Sequence, residues 1–446
     1  MNNKKIVTLL LMCLGAVNLP ALNLEDARRA AVRSSPVLRK LDLSKQNQAL
    51  ARMAVFFKYL PSLSASVSAS YPVLESPAGQ GQSLDKLNAA ARFSISERVS
   101  IFDGGKSRTE RSNLALDDSS LDADTQAKFL ALIEDADSRY FACLEAEAAV
   151  KTAELQVELS SLALETAEIR RAGGILSPSD YFLALADKSA ADSSHAAALT
   201  GLALARRRLE QLTGLSDTGD LSPVDFENYE ELLNRISQWT MEEIVSRCEK
   251  IRENLASRSP SLRSAYITLR RAENTYALSR SAFLPSLDLS LSFDLGYNFT
   301  GRSSSDPLSY GASVTLGGTI PLDYWVLENA LRRQKNTLES SRIDYEDALA
   351  AFDIELQSAL FTLAGNSRAL MASRRQAEYS ALLLEQQQEL FRLSGTSMAS
   401  FLDAAARSLS GETAKTKAEF SFLRSLSAIK TLGAFDDGEV LALLLE

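Results

Sequence analysis

The chain has 446 residues and a formal net charge of −9. That acidic balance excludes a nucleic-acid partner, because phosphate binding needs a concentrated basic surface. Only 11 prolines and 20 glycines interrupt a sequence rich in Ala, Leu, Ser, Glu, Arg and Gln, a mixture that favours long helices.

Residues 1–21 read as a secretory signal peptide. Lys4 and Lys5 precede an apolar run at 6–17 that is too short to span a bilayer, and the small Ala21 marks the cleavage point. Losing both lysines takes the mature charge to about −11. The alternative is a lipoprotein attached through Cys13, although Met12 fits a lipobox poorly. The two later cysteines, Cys143 and Cys248, lie in helical segments and are expected to pack as thiols. No later stretch holds about 18 consecutive apolar residues, so no helical membrane span is expected.

From there the elements follow in order. Residues 24–59 carry a helical pattern broken only by Pro36, and 61–74 and 88–101 read as strands. Lys106–Ala172 contains neither proline nor glycine, and at ~1.5 Å per residue this helix would reach roughly 100 Å. Gly173-Gly174 ends it. Ser177 N-caps the next helix, Pro178 fits its first turn, and Gly214 closes it near residue 212. Residues 214–240, richer in Asp, Gly and Pro and containing Trp239, form a linker with some structure of its own. A helix over 241–282, strands over 285–300 and 309–320, a helix over 323–393 interrupted only by Gly365, a turn at Gly395 and a helix over 399–432 follow.

The order is one plan written twice. Ser35-Pro36 recurs as Ser259-Pro260, and Leu60-Pro61-Ser62-Leu63 as Leu284-Pro285-Ser286-Leu287, both at a shift of 224 residues. Gly174 matches Gly395 at a shift of 221. The chain therefore divides into a first repeat at 22–213, the linker at 214–240 and a second repeat at 241–446. Helices this long pack lengthwise against one another, and small residues such as Ala142, Ala146 and Ala149 let each touch two neighbours, as in a closed wall.

The strands alternate strictly. Leu287, Leu289, Leu291, Phe293, Leu295, Tyr297 and Phe299 are separated by Asp, Ser, Gly and Asn. Leu63 and Val67 alternate with serines, and Phe93, Ile95, Val99 and Ile101 do likewise with Glu97 as the exception. Val314 and Leu316 belong to the fourth strand. Lengths of 10–14 residues exceed the usual ~5–6 and suit tilted membrane strands, so these apolar residues are expected to face lipid. Tyr71, Tyr297, Phe299 and Tyr310 suit interfacial girdles. Four strands cannot close a barrel, and open edges are not tolerated in lipid. Association is required, and three copies giving twelve strands leave a lumen that two copies would fill.

The repeated Leu-Pro-Ser-Leu, Phe102-Asp103-Gly104-Gly105 before the long helix, and Arg171-Ala172-Gly173-Gly174 with Arg392-Leu393-Ser394-Gly395 at the far turns resemble the TolC family of outer-membrane efflux proteins. The resemblance covers essentially the whole mature chain. It implies an α+β membrane protein whose long antiparallel helices form a periplasmic α-barrel, and whose strands contribute to a trimeric 12-stranded β-barrel. It also implies a passive outer-membrane duct for efflux or type I secretion, with a periplasmic adaptor and an inner-membrane transporter as partners. Gly174, Ser177, Gly395, Thr396 and Ser397 would then form adaptor-docking turns, although helix capping alone also accounts for both glycines. An acidic ring at the periplasmic entrance would fall near Asp403 or Asp180. The position where the family often has its first carboxylate holds Phe401, which would narrow the entrance instead.

Nothing points to catalysis or to a cofactor. His195 is the sole histidine, too little for a usual zinc site or a Ser-His triad. The glycine pairs lack a phosphate-loop Gly-Lys-Ser/Thr sequence. The competing reading is a non-conducting helical spacer or adhesin at the cell surface or in the periplasm.

Overall fold

The structure, a computed structural model, describes residues 21–57, 62–70, 88–174, 176–298, 308–393, 395–433, 438, 439 and 444. The signal segment before Ala21, Cys13, residues 61 and 71–74 of the first expected strand, and residues 299 and 300 of the third lie outside them.

In chain order the elements are α1 (Leu24–Ser34), α2 (Pro36–Phe57), β1 (Ser62–Ser70), β2 (Asn88–Phe102), α3 (Lys106–Ala172) and α4 (Pro178–Thr213). A 3-10 turn (Glu227–Tyr229) and α5 (Glu230–Ser237) occupy the linker. Then come α6 (Met241–Arg258), α7 (Pro260–Ser281), β3 (Ser286–Asn298), β4 (Leu308–Thr319), α8 (Tyr324–Arg392) and α9 (Met398–Gly433). The long helices, α3 and α8, have 67 and 69 residues, and each is followed by a helix of 36.

The single helix expected over 241–282 is two. Ser259 takes ψ 120, as Ser35 takes ψ 117 at the corresponding break. Each precedes a proline, whose ring excludes the helical region for the residue before it. Gly365 does not interrupt α8, since one glycine costs a long helix only about 1 kcal/mol. Over 18 residues α8 is apolar enough by composition to cross a bilayer, but that run is part of a 69-residue helix with many charged side chains.

The described residues among 1–40, 124–263 and 349–446 form one compact unit, and those among 41–123 and 264–348 form the other. The first is held by long-range contacts around the middle of α3. Tyr140 is fully buried and its hydroxyl lies 2.9 Å from the Leu22 carbonyl and 2.6 Å from that of Ser222. The first acceptor belongs to a parallel bridge between Leu22 and Leu221, and the second to the residue after Leu221. Burial pushes the Tyr140 pKa up to about 12, so the phenol stays a donor. One turn earlier, the buried Asp137 accepts two bonds from Arg28, at 2.5 and 2.8 Å, and one from Ser427 at 2.8 Å. The linker is fixed in place: α5 buries Leu232, Leu233 and Ile236, and Arg368 on α8 donates to the carbonyls of Ser237 and Trp239. Cys143 and Cys248 are buried free thiols, and burial, followed by the Glu147 charge, pushes the Cys143 pKa up to about 11.

The second unit contains one antiparallel sheet in the order β1-β2-β3-β4. The β2–β3 pairing joins the hairpin of the first half to that of the second, with Phe93 opposite Leu295 and a bulge between Ser100 and Phe102. At the re-entry to α3, Asp103 accepts from the Gly105 and Ser107 amides at 2.9 and 2.7 Å, which caps the helix. Gly104 has φ 68, and a Cβ there would lie 2.8 Å from the Ser281 carbonyl oxygen, so this turn requires glycine.

Candidate functional site

Register assigns each strand residue to a face. Leu63, Ile95, Phe293 and Ala312 align across the sheet, with Ala65, Phe93, Leu295 and Tyr310 as the next row on the same side. Leu289 and Leu316 pair on that side too, and so do Leu291 and Val314. The opposite side carries rows such as Ser62, Ser96, Ser292 and Ser313. The apolar side is bare: Val67 is 81 % exposed, Val314 72 % and Leu316 63 %, and Phe93, Leu291, Phe293 and Leu295 are exposed as well. Ile95 and Leu289 are half-buried. The side chain of Leu63 lies outside the described residues.

The polar side binds itself. The Ser292 and Ser313 hydroxyls are 2.8 Å apart, and Arg98 pairs with Asp288 at 2.9 Å. Glu97 stands on the apolar side opposite Leu291, the one carboxylate in the described rows of that face. β1 and β4 each have one edge with no strand partner among the described residues.

The far turns lie in the other unit. Gly174 ends its helix in the left-handed region at φ 71, where glycine escapes the Cβ clash. Ser177 accepts from the Asp180 amide at 3.2 Å and donates to the Asp180 carboxylate at 2.9 Å, so Asp180 serves the cap. The second turn is built differently. Gly395 is not left-handed; its amide donates to the Leu390 carbonyl at 2.7 Å, Thr396 binds Gln387, and Ser397 caps α9 through the Ser400 amide. Asp403 is exposed and pairs with Arg407 at 2.8 Å.

Phe401 corrects the expectation of an aromatic constriction. It is fully buried in a cluster with Ala163, Ala167, Ala184, Phe391 and Met398, so it has no free face for a lumen. Its ring stacks on Phe391 at 4.6 Å and an interplanar angle of 8°. The alanines come from α3 and α4 and the aromatics from α8 and α9, so this cluster ties the two helical hairpins together. Arg170 at the end of α3 covers the Phe391 ring, a partnership across 221 residues whose one sequence cue is an arginine and an aromatic near helix ends. Among the described residues no three His, Cys, Asp or Glu side chains gather as a metal site. His195 faces Glu154 at 3.9 Å.

Residues 251–433 match the family described as Outer membrane efflux protein. That stretch of the second half is similar to the outer-membrane efflux proteins. Known structures extend the likeness to the whole fold. The chain is similar to CusC with a TM-score of 0.74 at 15 % identity, over 92 % of both chains. It is similar to the CmeC outer membrane channel of Campylobacter jejuni, also at 0.74, with 16 % identity over 94 % of this chain and 89 % of that one. The outer-membrane channel OprN follows at 0.73 and 20 %, over 92 % and 90 %. No curated protein matches the chain by sequence. The likeness shows the fold of such channels, long helices joined to a four-stranded sheet.

Proposed function

We propose that three copies of this chain assemble into a passive duct, with a 12-stranded barrel in the outer membrane continued by a helical tunnel. The observation that carries the reading is the open sheet. It is apolar and bare on one side and serine-rich on the other, with two edges that lipid does not tolerate unpaired. Twelve strands leave a lumen lined by hydroxyls and by the compensated Arg98–Asp288 pair.

A duct supplies no energy of its own, so an inner-membrane transporter drives cargo through it, with a periplasmic adaptor at the turns Gly174–Ser177 and Gly395–Ser397. Small molecules or proteins are the cargo. The decisive experiment is planar-bilayer conductance of the detergent-extracted protein, with oligomer mass determined on the same sample. A trimer with discrete conductance steps supports the duct. A monodisperse monomer that is soluble without detergent overturns it in favour of a spacer or adhesin.

A further inference from the structure

Immediately beyond the helix-side ends of the strands, the second unit exposes a second apolar group. Phe57 at the end of α2, Phe102 at the end of β2, Leu284 before β3, and Leu322, Trp325 and Val326 after β4 are all open to solvent. Leu322 and Trp325 are 69 % and 68 % exposed. They continue the apolar side of the sheet, where Leu316 and Ile320 precede them in the alternation.

The charge changes sign at the same place. Described residues 47–57, 103–116, 270–285 and 320–335 hold ten Lys and Arg against five Asp and Glu, in a chain whose net charge is −9. Some of these cations are satisfied within the unit. Arg52 and Arg271 pair with Asp118 and Asp117, Arg270 with Glu273, and Arg332 with Glu328. Arg108, Arg280, Arg333 and Lys335 are exposed, and no carboxylate pairs with them among the described residues. On α8, Arg333 follows Val326 by seven residues, two helical turns, and so shares its face.

We propose that this junction is a seat for anionic phospholipid: the aromatic and apolar residues enter the edge of the hydrocarbon, and the basic side chains just beyond it bind headgroup phosphates. Trp and Tyr are favoured at that depth because an apolar ring carries a polar N–H or O–H, as in Trp325, while phenylalanines such as Phe57 and Phe102 supply apolar area alone. A Lys or Arg near an anionic surface contributes about 1 kcal/mol, and long basic side chains reach the headgroups while their stems stay apolar. The inference rests on the lipid-facing reading of the sheet and adds the leaflet boundary and its charge preference.

Trp325 supplies the test, because the only other tryptophan, Trp239, is buried. The Trp239→Phe trimer is reconstituted with brominated phosphatidylglycerol or brominated phosphatidylcholine at equal mole fraction. Phosphatidylglycerol is expected to quench Trp325 roughly two- to fivefold more strongly, a difference lost in 0.5 M salt and in the Arg280→Gln/Arg333→Gln/Lys335→Gln variant. If Trp239→Phe does not fold, the difference between the intact protein and Trp325→Phe reads the same signal. Equal quenching by both lipids, or an unchanged preference in the triple variant, overturns the anionic seat. Absence of quenching in an inserted trimer overturns the lipid contact itself. Failure to insert into any bilayer would instead sink the lipid-facing sheet on which the proposal stands.

Discussion

The guanidinium of Arg170 lies over the ring of Phe391, 4.8 Å from its centroid, and also donates to the Phe391 carbonyl at 3.2 Å. One residue at the end of α3 thus caps α8 and covers the ring that stacks on Phe401. A cation–π contact and a part-exposed hydrogen bond together are worth about 1 kcal/mol. Replacing Arg170 with Ala should loosen the two hairpins at this end without unfolding the chain. The expected outcome is an unchanged trimer with larger or more frequent conductance steps; identical single-channel records would show that the contact does not restrain the entrance.

The two sides of the sheet should respond oppositely to the same charge. Leu291→Arg places a cation in lipid and should cost ~2–4 kcal/mol if the position is near mid-membrane. Ser292→Arg, one residue on, points to the other side and should assemble normally. Resistance of the trimer to detergent denaturation separates them, and equal behaviour would mean that neither side meets lipid.

Asp137 is a buried charge whose partners lie 109 and 290 residues away. Asp137→Ala leaves Arg28 buried without its main partner and should lower stability by about 3–5 kcal/mol. Thermal unfolding of the helical signal reports it. A shift of less than a degree or two would show that water replaces the carboxylate.

Glu419 on α9 has its pKa raised, burial outweighing the attraction of Lys415 and Arg374. A folded-state pKa above the unfolded one favours folding when the group is protonated. That contribution is present below the unfolded value near 4.5 and is lost as pH rises through the folded value. Glu419→Gln should therefore raise the unfolding temperature at pH 7 and leave it nearly unchanged at pH 4. An equal effect at both values would trace the change to packing.

What was legible in the sequence had a short period or a long silence. Strict alternation from Leu287 to Tyr297 gives β3 its two sides, and the absence of any breaker from Lys106 to Ala172 gives α3 its length. The split at Ser259 was missed because the helical pattern of the apolar residues continues across Pro260, although the repeat itself pointed to a break there. The role of Phe401 was hidden for a different reason. Its position after the turn speaks of an entrance, whereas its burial depends on alanines more than 200 residues earlier, whose small size makes room for two stacked rings. Contacts at such separations leave no periodicity to read.

The pairing of β2 with β3 also governs how the molecule comes into being. Opposed residues such as Ile95 and Phe293 are almost 200 positions apart, so a nascent chain that has emerged only as far as α4 holds at most a lone hairpin. Two strands are marginal in water and open-edged in lipid, so neither solvent rewards early commitment. On the duct reading, membrane entry must wait until β3 and β4 have been made, and the chain passes through a water-borne stage with its oily strands exposed, when a holding chaperone would matter most.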